Sequence, residues 1–476
     1  MKEIKQKKKR TLLIGAGEAG ELALSFLQIH HADTLQLIGV VDDRKKTLVN
    51  FGLPLLGNVK DIEKIVKSQS IEHLIVAIPS LKGSAKIAVL EACAKTGVST
   101  EIMPDLAAII RGEGTIQAMQ KLDYVDLLDR EEGKLNYEEM KPSFKQKRVL
   151  ITGAGGSIGS EIVRQAARCE PQEIILVGHG ENSIFTIHHE MSLHSDVKVT
   201  PIIADIQDKD RIQEIFAKYT PDIVYHAAAH KHVPMMELNV REAVKNNIIG
   251  TKNLVDISER YCIERFIMIS TDKSVEPTSV MGATKKMAEW IVQAKNNNKH
   301  AGIYSVVRFG NVLGSRGSAI PLFWEQIKTG QPVTITHPDM ERYFMTIAEA
   351  SQLVIEASML AVGGEVFILK MGNAQKIIDI VRKLGVLAGK KEEQLDIRFI
   401  GLRDGEKMSE ALFETEELDT ADTHFTKYYC GKAQIPQKIY EIEDWHLFFS
   451  KKNEEDIRKI LLALTNSQPI LEKEHA

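Results

Sequence analysis

Residues 147–167 read KRVLITGAGGSIGSEIVRQAA. The apolar run at 149–151 predicts a short buried strand, and residues 160–167 predict a helix. Between them lies Thr152-Gly-Ala-Gly-Gly-Ser-Ile-Gly159, a G-x-x-G-x-x-G turn. Glycines at 153, 156 and 159 let backbone N–H groups approach a pyrophosphate at a helix N-terminus. That points to a dinucleotide, with Thr152, Gly153, Gly156, Ser157, Ile158 and Gly159 as candidate contacts.

A second stretch supplies chemistry to this loop. Residues 264–289 read ERFIMISTDKSVEPTSVMGATKKMAE. An apolar run stops abruptly at Ser270-Thr271-Asp272-Lys273, and Met281-Gly-Ala-Thr-Lys285 opens a helix. Met281 and Lys285 share a helix face at a spacing of four. Hydroxyl, carboxylate and ammonium groups at the carboxyl end of a strand are where an open α/β sheet does its chemistry.

Strand-like runs at 173–177, 200–203, 222–225, 265–269 and 303–307 alternate with helical segments. This order predicts a doubly wound parallel sheet. Right-handed crossovers then put the glycine loop, Ala227, Ala228 and Ala229, and residues 270–273 on one sheet edge.

Upstream, residues 11–14 and 35–41 read as strands around Gly15-Ala-Gly17-Glu-Ala-Gly20, with Asp42-Asp43 beyond. This is G-x-G-x-x-G followed by acids; alone, it leaves open whether the domain binds a dinucleotide, another ligand or none. The whole chain is therefore expected to be α/β with two Rossmann-like domains. A basic tail covers 1–10, the first domain 11–125, and a polar linker with Pro142 covers 126–146. The second domain covers 147–435, with a smaller substrate lobe from about 310 that is rich in Arg, Lys and aromatics. A charged helical segment, 436–476, follows; Trp445, Leu447, Phe448 and Phe449 form its docking patch.

At 476 residues the chain is long enough for two or three domains. Apolar content of 43%, charged content of 26% and a net charge of −4 are ordinary for a soluble globular protein and give no reason to expect nucleic acid. Four scattered cysteines lack any C-x-x-C, so neither a zinc site nor a disulfide framework is suggested. No apolar run reaches membrane-spanning length, and no signal peptide is present. A cytoplasmic protein is expected. The six Lys or Arg among the first ten residues are a solvated tail or a segment that lies at the inner face of a membrane.

These motifs, with His226-Ala-Ala-Ala-His-Lys-His-Val-Pro234 and Asn246-Asn247-x-x-Gly-Thr251, resemble the extended short-chain dehydrogenase/reductases. They are most similar to nucleotide-sugar 4,6-dehydratases, in particular the long form acting on UDP-GlcNAc in bacterial polysaccharide and glycan synthesis. The resemblance spans about residues 145–415. Most relatives have Tyr where Met281 stands; the long dehydratases resemble this chain in having Met. Long-form relatives usually carry membrane helices before the first domain, and here none precedes the basic tail, which suggests a truncated or naturally soluble form.

The resemblance implies a redox-neutral removal of water. Lys273 is the implied base at C5 and Asp272 the acid at the C6 oxygen. Thr271 is expected to bond the C4 oxygen and Lys285 to hold the nicotinamide ribose. Asn247 holds a water or a backbone kink, or is a plain helix residue. What takes the C4 hydroxyl proton without a tyrosine stays open, with water, Thr271 or Lys285 as routes. The histidines at 226, 230 and 232 are explained by the motif and not by a metal; no metal is expected. Asp205 and Ile206 resemble the adenine-contacting pair. At 178, where NAD-binding relatives usually have an acid, stands Gly178 with His179 beside it. That favours NADP+ over NAD+, while Glu181 keeps NAD+ open. Lys231, His232, Asn311, Arg316, Arg342, Arg403, Glu406 and Lys407 are candidates for holding UDP-GlcNAc, since cations suit its diphosphate. Relatives commonly pair through helices beside residues 281–285, so a homo-oligomer is expected. An inverting dehydratase, a 4-epimerase and a non-catalytic nucleotide-sugar sensor or scaffold are the rival readings.

Overall fold

The computed structural model describes residues 8–45, 52–103, 124–128, 135–297, 302–414, 427–432, 445–450 and 452–466, with isolated positions from 417 to 439. It divides into two compact units: 1–132 with 319–335 and 377–399, and the remainder, 133–318, 336–376 and 400–476.

The smaller unit holds strands β1 (Lys9–Ile14), β2 (Leu35–Val41), β3 (Leu55–Gly57), β4 (His73–Val76) and β5 (Ser99–Ile102). They form a parallel sheet in the order β3-β2-β1-β4-β5. Residues 319–335 and 377–399, expected within the substrate lobe, pack into this unit. The physical reason is apolar: Val386 and Leu387, on the helix Ile377–Leu387, lie against a core of Leu12, Ile14, Leu74 and Leu90.

The larger unit holds β6 (Arg148–Thr152), β7 (Glu173–Gly178), β8 (Lys198–Ile203), β9 (Ile223–His226), β10 (Arg265–Thr271), β11 (Ile303–Phe309), β12 (Val366–Leu369) and β13 (Tyr428–Gly431). Their order is β13-β12-β11-β10-β9-β6-β7-β8. All pairs are parallel except β12 with β13. The expected α/β doubly wound sheet is therefore present. Its strands are continuous apolar runs because both faces are covered by helices. Leu150, Ile175, Val177, Phe266 and Met268 face one core; Val149, Ile151, Ile174, Leu176 and Ile267 face the other. Each such side chain contributes roughly 1.5–3 kcal/mol of burial.

The strand order reverses between β6 and β9. Register places Thr152 beside His226, and His226 beside Met268. The glycine loop, residues 227–229 and the end of β10 thus emerge from one edge, as the crossover rule requires. Residues 137–144, expected within the polar linker, instead form a helix whose Met140 and Phe144 are buried in the second core.

Beneath the end of β10 lies a dry ionic network. Glu289 Oε1 accepts from Ser270 Oγ (2.5 Å) and Ser274 Oγ (2.6 Å). Arg308 donates to both oxygens of Glu289 and, from its other edge, to both of Glu417. Glu289, Arg308 and Glu417 are each at most 1% exposed. Burial alone would raise the Glu289 carboxyl; Arg308, Lys286 and Ser270 outweigh it and hold it at about 2. A carboxylate held below its ordinary value stabilises the fold above pH 4.5, and that contribution is lost as pH falls toward 2.

Removing one partner of a buried pair leaves an uncompensated charge. Arg308→Met is expected to destabilise the larger unit by about 3–5 kcal/mol, read from urea unfolding at pH 7. A change below about 1 kcal/mol, the range of exposed pairs, would contradict the network's weight.

Candidate active site

Thr271 ends β10, and a 3₁₀ turn, Asp272–Ser274, follows it. Thr271 caps this turn through its side-chain oxygen. The Thr271 hydroxyl also donates to Asp272 Oδ1 at 2.9 Å. Lys273 Nζ donates to the same Oδ1 and to Asn311 Oδ1, both at 3.0 Å. Asp272 is fully buried, and its Oδ2 has no hydrogen-bond partner among the described residues. A Cβ at Gly310 would lie 2.9 Å from that oxygen, so the carboxylate needs a glycine opposite it. Thr271, Asp272, Lys273 and Asn311 therefore form one cluster; Asn311 serves the lysine directly.

Ser279 accepts from Gly282 N and starts the helix Val280–Ala294. Lys285 leaves this helix toward β10 and donates to Ile269 O at 2.8 Å. Burial lowers the Lys285 amine to about 8, with Glu289, one turn on, opposing the shift. Met281 is 2% exposed and belongs to the first apolar core. No phenol stands at that position.

Asn247 sits in a π-helical stretch, Val244–Gly250. Its Oδ1 accepts from His230 N at 2.9 Å, and its Nδ2 donates to His230 O and to Thr284 Oγ1, each at 3.1 Å. It ties the loop after β9 to the helix that carries Lys285. His226 bonds Thr152 Oγ1 through Nδ1 (2.8 Å) and Thr251 Oγ1 through Nε2 (2.9 Å). Burial, then Lys285, pushes its imidazole down to about 3, so it is neutral. The described residues hold no cluster of metal-ligating groups.

The glycine loop closes on neighbouring backbone. Gly153 has φ +64°, and a Cβ there would meet Ala227 O at 2.7 Å. A Cβ at Gly159 would come within 2.2 Å of Gly153 O. Gly156 precedes the helix Ser157–Ala167, whose first N–H groups face the loop. Arg316 Nη1 donates to Gly155 O at 3.0 Å, and its backbone N to Ser157 Oγ at 3.0 Å. Arg316, expected at the sugar diphosphate, is thus placed on the glycine loop. This glycine-lined cradle, opening on a helix N-terminus, fits a dinucleotide's pyrophosphate.

Around it, His179 and Glu181 are exposed after β7. Asp205 Oδ1 accepts from Gln207 N, and Asn253 fixes Ile206 O. Ala227, Ala228 and Ala229 are half-buried beyond β9. Lys231 reaches Ser315 Oγ at 3.3 Å, and the His232 ring fills the space over Gly317.

The remaining candidates fall into two sets. Arg342 is 6% exposed and donates to the carbonyls of Glu341, Lys407 and Met408. Lys407 donates to Val275 O at 2.8 Å, and burial lowers its amine. These two cations brace the loop 401–410. Arg403 and Glu406 lie on that loop, where Arg403 N donates to Glu406 Oε2.

Sequence reasoning named Ser270 without its bond to Glu289, and missed Glu289, Ser274 and Glu410. Ser270 and Ser274 flank the Thr-Asp-Lys triplet, and Glu289 lies four residues beyond Lys285, so spacing held a signal for them. Glu410 carried none; only folding brings it to Lys273.

The glycine geometry has a direct test. Gly159→Ala is expected to destabilise the larger unit by about 1–3 kcal/mol through overpacking. Gly17→Ala, where no atom lies within 4 Å of the added Cβ, should leave the melting temperature within about 1 °C. Equal effects in thermal unfolding would refute the distinction.

Comparison with known proteins places this geometry in a family. The family described as polysaccharide biosynthesis protein matches residues 149–433, and a CoA-binding domain family matches residues 2–104. The chain is 45% identical over 431 residues to the capsular polysaccharide biosynthesis protein CapD of Staphylococcus aureus, covering 90% of this chain and 72% of that one. It is 44% identical over 465 residues to the probable polysaccharide biosynthesis protein EpsC of Bacillus subtilis, covering 96% and 77%. Among solved structures, Pen from Bacillus thuringiensis superposes with a TM-score of 0.58 at 34% identity, over 61% of this chain and 91% of that one. The dTDP-glucose 4,6-dehydratase DesIV from Streptomyces venezuelae, solved with NAD bound, shares the fold with a TM-score of 0.50 at 19% identity, over 56% and 88%. The chain belongs to the polysaccharide biosynthesis protein family, and its larger unit has the extended short-chain dehydrogenase/reductase fold.

Proposed function

We propose that the protein is a UDP-GlcNAc 4,6-dehydratase, forming UDP-2-acetamido-2,6-dideoxy-hexos-4-ulose with retention at C5, for bacterial polysaccharide or glycan synthesis. One observation carries the reading. At the carboxyl edge of the sheet, a buried carboxylate and an amine lie 3.0 Å apart, Asp272 Oδ1 to Lys273 Nζ. Transfer of one proton across that contact turns an ion pair into an amine base beside a carboxylic acid. A 4-epimerase needs no such pair at C5 and C6.

The residues then act in order. A nicotinamide dinucleotide held by Gly153, Gly156 and Gly159 would supply the redox chemistry, as acceptor and donor of hydride between C4 and C6. The Thr271 hydroxyl holds the C4 oxygen. The proton leaving that oxygen passes to solvent, and the Asp272–Lys273 pair, left one proton short when the cycle closes, regains one from solvent. With C4 a ketone, the C5 proton is acidic, and Lys273 takes it. Asp272 gives its proton to the C6 oxygen, which leaves as water. Lys273 then returns a proton to C5. Lys285, charged below about pH 8, holds the nicotinamide ribose and adds a positive field.

Gly153, Gly156 and Gly159 would cradle the pyrophosphate, joined by Arg316 from the side. The absence of an acid at 178, with exposed His179 beside it, favours NADP+. Lys231, His232, Asn311, Arg403, Glu406 and Lys407 are the proposed contacts of the nucleotide sugar, with Arg342 as a brace of the loop 401–410. The proposed setting is the cytoplasm, with the basic residues of the tail suited to anionic lipid at the inner face of a membrane; no described helix is long and apolar enough to cross one. A homo-oligomer remains our reading. The helix Val280–Ala294 packs against the chain's own helix Glu454–Thr465, which is fastened by Arg458 to Glu237 and by Asn466 to Pro277 O.

Incubation with UDP-GlcNAc and NADP+ should give a product lighter by one water, with a C4 ketone in its carbon NMR spectrum. Asp272→Asn and Lys273→Met should each lower kcat by about 10²–10⁴-fold while dinucleotide binding persists. A product of unchanged mass would favour the epimerase; unreacted sugar nucleotide that nevertheless binds would favour a sensor.

A further inference from the structure

A second carboxyl group faces Lys273. Glu410 is 7% exposed, with Oε1 at 3.8 Å from Lys273 Nζ and 3.7 Å from Arg342 Nη2. Its Oε2 is buried with no hydrogen-bond partner among the described residues. The surrounding donors are committed elsewhere. Lys273 donates to Asp272 and Asn311 at 3.0 Å, Arg342 to three backbone carbonyls, and Lys407 to Val275 O. A buried carboxylate that receives no short hydrogen bond is costly in its charged form. Asp272, fully buried and nearby, adds repulsion. Burial first, then Asp272, raises the Glu410 carboxyl against the pull of Lys273, Arg342 and Lys407.

We infer that Glu410 is a positioning residue whose protonated form leaves Asp272 and Lys273 as a balanced pair and whose ionised form locks Lys273 as an ammonium. This rests on the dehydratase reading. With Glu410 neutral, one anion faces one cation. The proton can then cross the 3.0 Å contact: the N–H bond on Lys273 breaks, the O–H bond on Asp272 Oδ1 forms, and the nitrogen keeps the electron pair needed at C5. No electrons leave the site. With Glu410 ionised, two carboxylates flank one ammonium, and the neutral amine is disfavoured. The groups facing Glu410 are Asp272 and Lys273 from the turn after β10, Arg342 from the strand Glu341–Arg342, and Lys407 from its own loop. Its oxygen without a partner also gives the site a donor, when protonated, that no described residue accepts from.

Dehydration rates across pH test this with wild type, Glu410→Gln and Glu410→Asp. Wild-type kcat should fall as pH rises through the elevated Glu410 value. The glutamine variant should keep kcat within about 3-fold at acidic pH and carry it about one pH unit higher, because it cannot ionise. The aspartate variant should restore the alkaline fall. Lys285, titrating near 8, contributes equally to all three profiles. A readout independent of turnover is the infrared band of protonated carboxyl followed across pH, expected in wild type to persist above the ordinary glutamate range and to be weaker there in Glu410→Gln. Superimposable pH profiles, an inactive but folded glutamine variant, or no such band would each overturn the assignment. Wild type that forms no dehydrated product, yet shows the band, would instead sink the dehydratase reading.

Discussion

One buried carboxylate fixes the reactive turn. A single oxygen of Glu289 accepts from Ser270 before the Thr-Asp-Lys triplet and from Ser274 after it. Arg308 neutralises that carboxylate from β11, the next strand, and is itself held by Glu417. A charge this deep is tolerable only when paired and fully bonded. The network therefore constrains both ends of the turn at once, and Asp272 and Lys273 have little freedom between them. The same Glu289 stands one helical turn from Lys285 and keeps part of its positive charge. Two elements of the site thus depend on one ion.

The chemistry follows from dryness. In water, an aspartate and a lysine would remain a solvated ion pair worth little. Here Asp272 is fully buried, and its second oxygen lies against Gly310 with no hydrogen-bond partner among the described residues. In the proposed reaction this pair serves as acid and base without a tyrosine. The position a tyrosine would take is filled by Met281, which packs into the core. Asn247 and His226 work behind the site: one clamps the loop after β9, the other bridges Thr152 to Thr251.

Much of this was legible from the residues. Parallel strands buried on both faces are continuous apolar runs, so β6, β7, β9, β10 and β11 could be read directly. The glycines of the loop announce themselves because no other residue fits against Ala227 O and Gly153 O. The triplet 271–273 and Lys285 were legible because strand end and helix start lie close in sequence. Contacts across long separations were not. Glu410 is over a hundred residues from Lys273, and nothing about its spacing marks it. Arg316 could be recognised as a cation near the site, yet its seat on Gly155 O depends on the fold of the loop. The helix Tyr137–Phe144 hid behind its charges and Pro142, and the burial of Met140 and Phe144 shows that it is anchored. The membership of residues 377–399 in the smaller unit was decided by Val386 and Leu387 finding an apolar core there.

The central claim is that Lys273 exchanges a proton at C5 while hydride moves within one sugar from C4 to C6. Running the reaction on UDP-GlcNAc deuterated at C4, in ordinary water, and repeating it with unlabelled substrate in deuterium oxide, tests both halves by NMR of the product. The account predicts that the C4 label appears at C6, and that solvent deuterium appears at C5 and not at C6. Solvent deuterium at C6, or a C5 position that never exchanges, would contradict it.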